Sequence, residues 1–223
     1  LEQKQLLLRE LNHRTKNNYQ IIMSMLSLQA GMDDDPRTRH TLEEAKGRVR
    51  AMMVVHEALS RSEDDAGTEV AAYLEELISR IVAVLDPEGR VQLLTQFDRC
   101  RVNATLAYNI GIVVNEIVTN AYKHAFGPDR GGSLQISVVS SPDSAQYPRL
   151  RLTITDSLPG GAESNEQPAE ENALPVSHRE TDTPGLGRLI VDSLANQMKG
   201  TVETASHSSG TRFILEVPIP AET

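Results

Sequence analysis

The chain is expected to fold as an α+β protein in two parts. An N-terminal antiparallel helical hairpin, half of a four-helix bundle, precedes an α/β sandwich with a mixed sheet and a long lid. Three observations lead there. Helical periodicity runs unbroken over residues 1–30 and resumes after the turn Gly31–Pro36, the pattern of an αα-hairpin. Helices and strands then follow in an order without the regular alternation of a doubly wound sheet. Finally, a stretch from Ser157 to Pro184, rich in Pro, Glu, Asn and Gly and without any period, interrupts the second part; loops of that length in compact domains are usually lids or disordered segments.

In the first helix, Leu7, Leu8, Leu11, Ile21, Ile22, Met25, Leu26 and Leu28 carry the period, and no Gly or Pro intervenes before Gly31. Pro36 suits the first turn of the second helix, which runs to about Ser60 on Leu42, Val49, Met52, Met53, Val55 and Leu59. The polar run Arg61–Gly67 reads as a linker. An amphipathic helix begins at Thr68, with Val70, Leu74, Leu77, Ile78, Ile81 and Val84 along one side, and stops before Pro87. Val91–Phe97 alternates as a strand. Asn103 is an N-cap for a strongly apolar helix through Phe126, ended by Gly127-Pro128. Strands at Ser133–Ser140 and Arg149–Thr155 precede the lid. A helix over Leu186–Met198 with Gly200 as its C-cap, then strands Thr201–Ala205 and Thr211–Pro218, complete the chain.

Composition narrows the function. The 223 residues suffice for two modest domains, and 39% hydrophobic with 24% charged residues is ordinary for a globular protein. Aromatic residues make up 4% with no Trp, and the formal net charge is −9. Both argue against base-stacking or polyanion-binding surfaces, so no nucleic-acid partner is expected. The single cysteine, Cys100, excludes an intrachain disulfide framework and a multi-cysteine zinc site. No apolar run approaches the roughly 20 residues of a membrane span and no secretory signal opens the chain, so a cytoplasmic location is expected.

Four constellations carry chemistry. His13, within Glu10-Leu-Asn-His-Arg-Thr-Lys-Asn17, faces away from the apolar seam. A neutral imidazole is a competent nucleophile toward phosphorus, although taken alone His13 reads more simply as a surface histidine. Asn17 stands one turn later on the same face and can orient a water or a phosphoryl oxygen above it. Glu116, Asn120, Lys123 and His124 fall at i, i+4, i+7 and i+8 of the apolar helix, opposite Ile112, Val113, Ile117, Val118 and Ala121. Oxygen ligands beside a cation on a core helix suggest Mg²⁺ with phosphate, against the plainer reading of a solvated stripe. Asp156, between a buried strand and the Gly160-Gly161 turn, can accept a hydrogen bond from an amino group such as that of adenine. Gly185-Leu-Gly187-Arg188 opens a helix, where free amides and the positive end of the dipole favour phosphate. Gly210-Thr211 opens the last strand and says nothing alone.

Together these residues resemble the bacterial sensor histidine kinases and their GHKL-type ATP-binding domain, over nearly the whole chain. The box His13-Arg14-x-Lys16-Asn17-Asn18 is similar to the subfamily whose phosphoacceptor helix reads H-R-x-K-N, related to the HWE kinases. Asn115–His124 resembles the N-box, Asp156 and Gly160 hold D-box positions, Gly185 and Gly187 G-box positions, and Gly210-Thr211 the closing G-T box. The resemblance implies a hairpin for dimerisation and histidine phosphotransfer over 1–64 and a catalytic ATP-binding domain over 65–223. It implies ATP and Mg²⁺ as cofactors. Asn120, Lys123 and His124 would lie near the phosphates, Asn120 and Glu116 near the metal, and Asp156 at adenine, with Gly160, Gly185, Gly187 and Thr211 completing the site. His13 would be the nucleophile, Asn17 and Glu116 its catalytic neighbours, and a response-regulator receiver domain the acceptor. A homodimer through the hairpin is expected, a monomer being the alternative, and an upstream sensor domain is expected outside this chain.

Three departures stand out. Arg14 takes the place where the larger kinase group has an acidic residue. Asp156-Ser157-Leu158-Pro159-Gly160 replaces the usual Asp-Asn-Gly-x-Gly. The lid carries Glu163, Glu166, Glu170 and Glu171, which would repel a triphosphate unless it swings clear. A phosphatase or phosphotransfer module with weak kinase activity, and a non-catalytic scaffold on the same fold, therefore stand beside the kinase reading.

Overall fold

The computed structural model describes residues 2–64, 67–126, 131–141, 148–158, 186–207 and 209–219. Helices α1 (Glu2–Met32) and α2 (Pro36–Ser62) form the expected hairpin. The turn is closed by Asp35, whose carboxylate accepts from Arg37 N at 3.0 Å and from the Thr38 hydroxyl at 3.1 Å, with Pro36 in the first helical position. Strands β1 (Glu63–Asp64) and β2 (Gly67–Glu69) follow, then helix α3 (Val70–Leu85). After β3 (Val91–Phe97) and β4 (Arg101–Val102) comes α4 (Ala104–Ala121), continued by a π-helical turn, Tyr122–Phe126. Strands β5 (Gly132–Ser141) and β6 (Arg149–Ser157), helix α5 (Leu186–Gln197), and strands β7 (Thr201–His207) and β8 (Gly210–Pro218) complete the order.

Two sheets result. The larger has the order β3-β5-β6-β8-β7, with β3 parallel to β5 and every other pair antiparallel. Its mixed character and single helical layer match the α+β sandwich expected from the pattern. Leu134, Ile136 and Val138 of β5, Leu150, Leu152 and Ile154 of β6, and Phe213, Leu215 and Val217 of β8 alternate onto one face and are buried there. Helix α3 meets them with Tyr73, Leu74, Leu77, Ile78 and Ile81, and α4 with Ile110, Val113, Val114 and Val118. Burying each such side chain contributes roughly 1.5–3 kcal/mol. Helix α2 packs on α3 and α4 from the other side, so the hairpin and the sandwich share one core that includes Val55, Ala58 and Leu59.

Several boundaries differ from the sequence expectation for identifiable reasons. The supposed linker Arg61–Gly67 contributes to a small antiparallel sheet, β1-β2-β4, with Thr68 opposite Val102. Thr68 is thus a strand residue, and α3 starts two residues later because the Glu69 carboxylate caps it, accepting from Ala71 N and Ala72 N. Asn103 caps α4 as expected, accepting from Leu106 N at 2.8 Å. The last turn before Phe126 widens to π geometry instead of remaining α, which carries the Phe126 ring into the core, edge-on to Tyr122 with centroids 5.4 Å apart. At the end of α5 the left-handed residue is Lys199, φ 55°, rather than Gly200. Gly200 N donates back to Ala195 O at 2.8 Å, one position further along in a Schellman-type ending. Gly160, Gly185 and the expected lid from residue 159 onward lie outside the described residues.

Gly111 sits where α4 crosses α3: a Cβ there would overlap the hydroxyl of Tyr73, which is fully buried and cannot withdraw. Gly47, mid-way along α2, has open space around it. Gly111→Ala should therefore destabilise the fold by about 1–3 kcal/mol through overpacking, while Gly47→Ala should stabilise it by up to about 1 kcal/mol through helix propensity. Chemical denaturation of the two variants beside the parent checks both signs.

Candidate functional site

Helix α4 supplies one wall of the site and the start of α5 the other. Glu116 and Asn120 stand one helical turn apart on α4. Gly187, in the first turn of α5, faces both: a Cβ added to it would lie 3.0 Å from Glu116 Oε2 and 3.8 Å from Asn120 Nδ2. A side chain there would crowd the end of the Glu116 carboxylate, which would have to shift by a few tenths of an ångström. The G-x-G signal, weak in sequence, thus has a specific steric basis at its second glycine.

Strands β6 and β8 form the other end. Asp156 is still within the β6 ladder, not beyond it as expected, and pairs with Thr211 of β8. Its Oδ1 accepts from Thr211 N at 3.0 Å. Burial pushes its carboxyl above the ordinary aspartate range, while the backbone N–H groups of Thr211 and of Asp156 itself pull it back. Gly210 beside it has φ 154°, and a Cβ there would overlap the carbonyl oxygen of Asp156. The closing Gly-Thr pair therefore sets the position of a carboxylate more than fifty residues away along the chain.

Between these ends lies a cleft of about 420 Å³. Asn120, His124, Asp156, Gly187 and Thr211 line it together with apolar Ile117, Val191 and Phe213. A half-buried acceptor at one end, apolar walls, and amides and a helix start at the other suit a flat heterocycle with an anionic tail. A second and larger cavity, about 760 Å³, opens between α2 and α4 and shares Asn120, His124, Gly187 and Arg188 with the first. Glu116 and Lys123 line this second space.

The polar stripe of α4 is only partly solvated. Lys123 and His124 are exposed, whereas Glu116 and Asn115 are each 9% exposed because α2 covers them. Burial pushes the Glu116 carboxyl above the ordinary glutamate range; Arg48 of α2 and Lys123 oppose that shift, and Glu44 adds to it. His13 and Asn17 lie elsewhere, exposed on α1, with Asn17 Nδ2 3.3 Å from His13 Nδ1. Neither lines either cavity. Next to them Arg14 is tied to Glu10 at 2.8 Å and Lys16 to Glu57 of α2 at 2.8 Å. Among the described residues no group of three or more His, Cys, Asp or Glu side chains is placed to hold a metal. Sequence reasoning assigned no role to Arg188, visible beside Gly187, nor to Arg48, which only the packing of α2 brings to the site.

A mixed sheet under a layer of helices with a polar-ended cleft between two of them, preceded by a helical hairpin, is the architecture of a nucleotide-binding ATPase domain joined to a helical hairpin. Residues 107–221 match the family described as histidine kinase-, DNA gyrase B-, and HSP90-like ATPase, and residues 10–85 match the family described as histidine kinase. The chain belongs to the histidine kinases. It is 33% identical over 219 residues to the sensor histidine kinase PdtaS of Mycobacterium tuberculosis, covering 95% of this chain and 39% of that protein. It is 26% identical over 216 residues to blue-light-activated histidine kinase 2 of Erythrobacter litoralis, covering 95% and 57%. The chain thus spans well under two thirds of these relatives. In fold it is similar to the solved blue-light activated histidine kinase EL346 of Erythrobacter litoralis, with a TM-score of 0.61 at 22% identity, covering 95% of this chain and 60% of that one. The histidine kinase domain of the same protein gives 0.58 at 22% identity, covering 90% and 96%. Among the described residues no helix is long and apolar enough to cross a membrane.

The raised Glu116 carboxyl has a consequence for stability. A carboxyl whose pKa is higher folded than unfolded makes the folded state bind more protons between the two values, so its charge costs stability progressively as pH rises through that window. Glu116→Gln should match the parent below the ordinary glutamate range and become the more stable of the two as pH rises above it. Urea denaturation across pH 4 to 8 measures the gap; a gap that stays constant would refute the assignment.

Proposed function

We propose that this chain is the transmitter region of a sensor histidine kinase, autophosphorylating on His13 at the expense of ATP and passing the phosphoryl group to an aspartate of a response-regulator receiver domain. The division of labour is 1–64 for phosphotransfer and dimerisation and 65–223 for ATP. One observation carries this reading: four segments far apart in sequence, bearing Asn120, Asp156, Gly187 and Thr211, converge on a single cleft. Asp156 accepts from the adenine amino group, and the apolar walls hold the ring. The phosphates extend past Asn120 toward the start of α5, with Lys123 and His124 beside them. Gly160 and Gly185 keep their D-box and G-box assignments in this reading by sequence position alone.

Glu116 and Asn120 offer a carboxylate and a carboxamide oxygen one turn apart, a donor set that fits Mg²⁺, which takes one or two protein oxygens and completes its shell with water and phosphate. When bound, Mg²⁺ neutralises charge on the phosphates. A nitrogen of His13 attacks the γ-phosphorus, the bond to the β–γ bridging oxygen breaks, and ADP departs with the electron pair. Asn17 Nδ2 lies 3.3 Å from His13 Nδ1 and can steady the imidazole by donating to that atom. Because His13 lines neither cavity, transfer requires α1 to reach the cleft by movement of the hairpin or from a second copy of the chain.

A homodimer through the hairpin is part of the same reading. Ile21, Met25, Leu28 and Met32 follow one another at intervals of four, three and four residues along α1, and all are exposed, Leu28 at 67% and Met32 at 85%. Such an apolar stripe on one helix suits the seam of a bundle. A sensor domain upstream supplies the input, and the cytoplasm, where receiver domains would be met, is the location. One feature favours a second reading, a regulator phosphatase with weak kinase activity: Leu158, where the family has glycine, lines the cleft.

With γ-labelled ATP and Mg²⁺, the parent chain should acquire acid-labile label and His13→Ala should remain at background. Label surviving in His13→Ala would refute the choice of nucleophile, and nucleotide binding without label would favour the phosphatase reading. Light scattering on a size-exclusion column should give twice the chain mass, with Met25→Glu/Leu28→Glu shifting it to monomer; a monomeric parent would refute the dimer.

A further inference from the structure

The larger cavity between α2 and α4 plays no part in holding adenine, yet it opens directly from the cleft through Asn120, Gly187 and Arg188. Its charge runs against that of the chain. Of the cations lining it, Arg80 is tied to Glu76 at 2.8 Å and Arg188 lies 3.5 Å from Asp192. Arg48, Arg50 and Lys123 make no direct ion pair among the described residues, Arg50 being exposed, and of the carboxylates here Glu43 is neutralised by Lys46 at 2.8 Å. A protein of net charge −9 thus keeps three cations without a direct ion pair, Arg48, Arg50 and Lys123, along a space that continues the cleft, and of these Arg48 and Lys123 act on Glu116. Arg48 is half-buried, so its guanidinium is partly desolvated and binds an anion more strongly than a surface arginine would.

We propose that the terminal phosphate of ATP enters this second cavity and is held there by Arg48 of α2, so that the hairpin itself contributes a cation to the nucleotide site. The inference rests on the cleft being the ATP site, as proposed above. With adenine at Asp156 and the middle phosphates at Asn120 and Gly187, the end of the chain of phosphates points past Glu116 into the space that Arg48 faces. In the absence of nucleotide, Arg48 and Lys123 are the cations that favour the ionised form of Glu116; with ATP bound they serve the phosphate as well. The site then distinguishes ATP from ADP through a residue outside the ATP-binding domain, and any displacement of α2 changes nucleotide affinity.

Isothermal titration of the 223-residue chain with Mg-ATP and Mg-ADP tests this on the parent, Arg48→Gln, Arg48→Lys and, as a control on the same helix but lining neither cavity, Arg37→Ala. One charged hydrogen bond to phosphate lost should weaken ATP binding roughly ten- to hundred-fold in Arg48→Gln. ADP binding should change less than about twofold, Arg48→Lys should recover part of the loss, and Arg37→Ala should match the parent. Equal losses for ATP and ADP, no loss in Arg48→Gln, or a comparable loss in Arg37→Ala would overturn the proposal while leaving the ATP site intact. A parent chain that binds neither nucleotide would overturn the ATP site and this inference together. Reaction of Arg48 with phenylglyoxal in the unmodified chain, read by mass spectrometry, gives an answer free of any folding defect: ATP should protect Arg48 and ADP should not, and equal labelling under both would refute the contact.

Discussion

Helix α4 is enclosed over its middle turns. One face lies on the sheet, α3 and α5 flank it, and α2 of the hairpin closes the remaining side. Everything polar on those turns is consequently held in a medium where charge is expensive and interactions between charges are strong. Glu116 and Asn115 are buried for this reason, and Arg48 of α2 acts on the Glu116 carboxyl across the space between the two helices. The site is therefore a property of the contact between the hairpin and the sandwich as much as of the sandwich alone.

At its C-terminal end the same helix solves a geometric problem. Asn120 must face the cleft while Phe126, six residues on, must return to the core beside Gly132, where a Cβ would lie 2.6 Å from its ring. The wider π turn over Tyr122–Phe126 accommodates them and leaves Lys123 and His124 exposed toward the cavities. Irregular helix geometry next to a candidate site is a recurrent association, here with an identifiable packing cause.

Much of this architecture was legible in the residue pattern. Period-two alternation in β5, β6 and β8 and the apolar stripe of α3 are strong local signals, because each element buries one face. Asn103 and Pro36 announced their helix starts through capping chemistry that depends on neighbours within four residues. The convergence of Asn120, Asp156, Gly187 and Thr211 was expected only through likeness to a family, since no local rule relates strands β6 and β8 to a helix between them in space. What escaped was tertiary or marginal. Two-residue strands such as β1 and β4 have no period to read. The π turn is dictated by where Phe126 must go, and the burial of Glu116 by a helix sixty residues earlier. Glu69 as a cap was invisible because glutamate is not among the usual capping residues.

The link between Asp156 and Thr211 has an implication for the order in which the molecule can be made. β8 is translated after every other described element but is inserted between β6 and β7, and it carries the N–H that holds the Asp156 carboxylate. Of the described elements the helical hairpin, with His13, emerges first on the ribosome and can fold from local contacts. The Asp156 end of the cleft, by contrast, waits for β8. While these residues are being made, the exposed face around His13 is therefore present well before a finished cleft, and synthesis of β8 acts as a built-in delay on when that cleft can close.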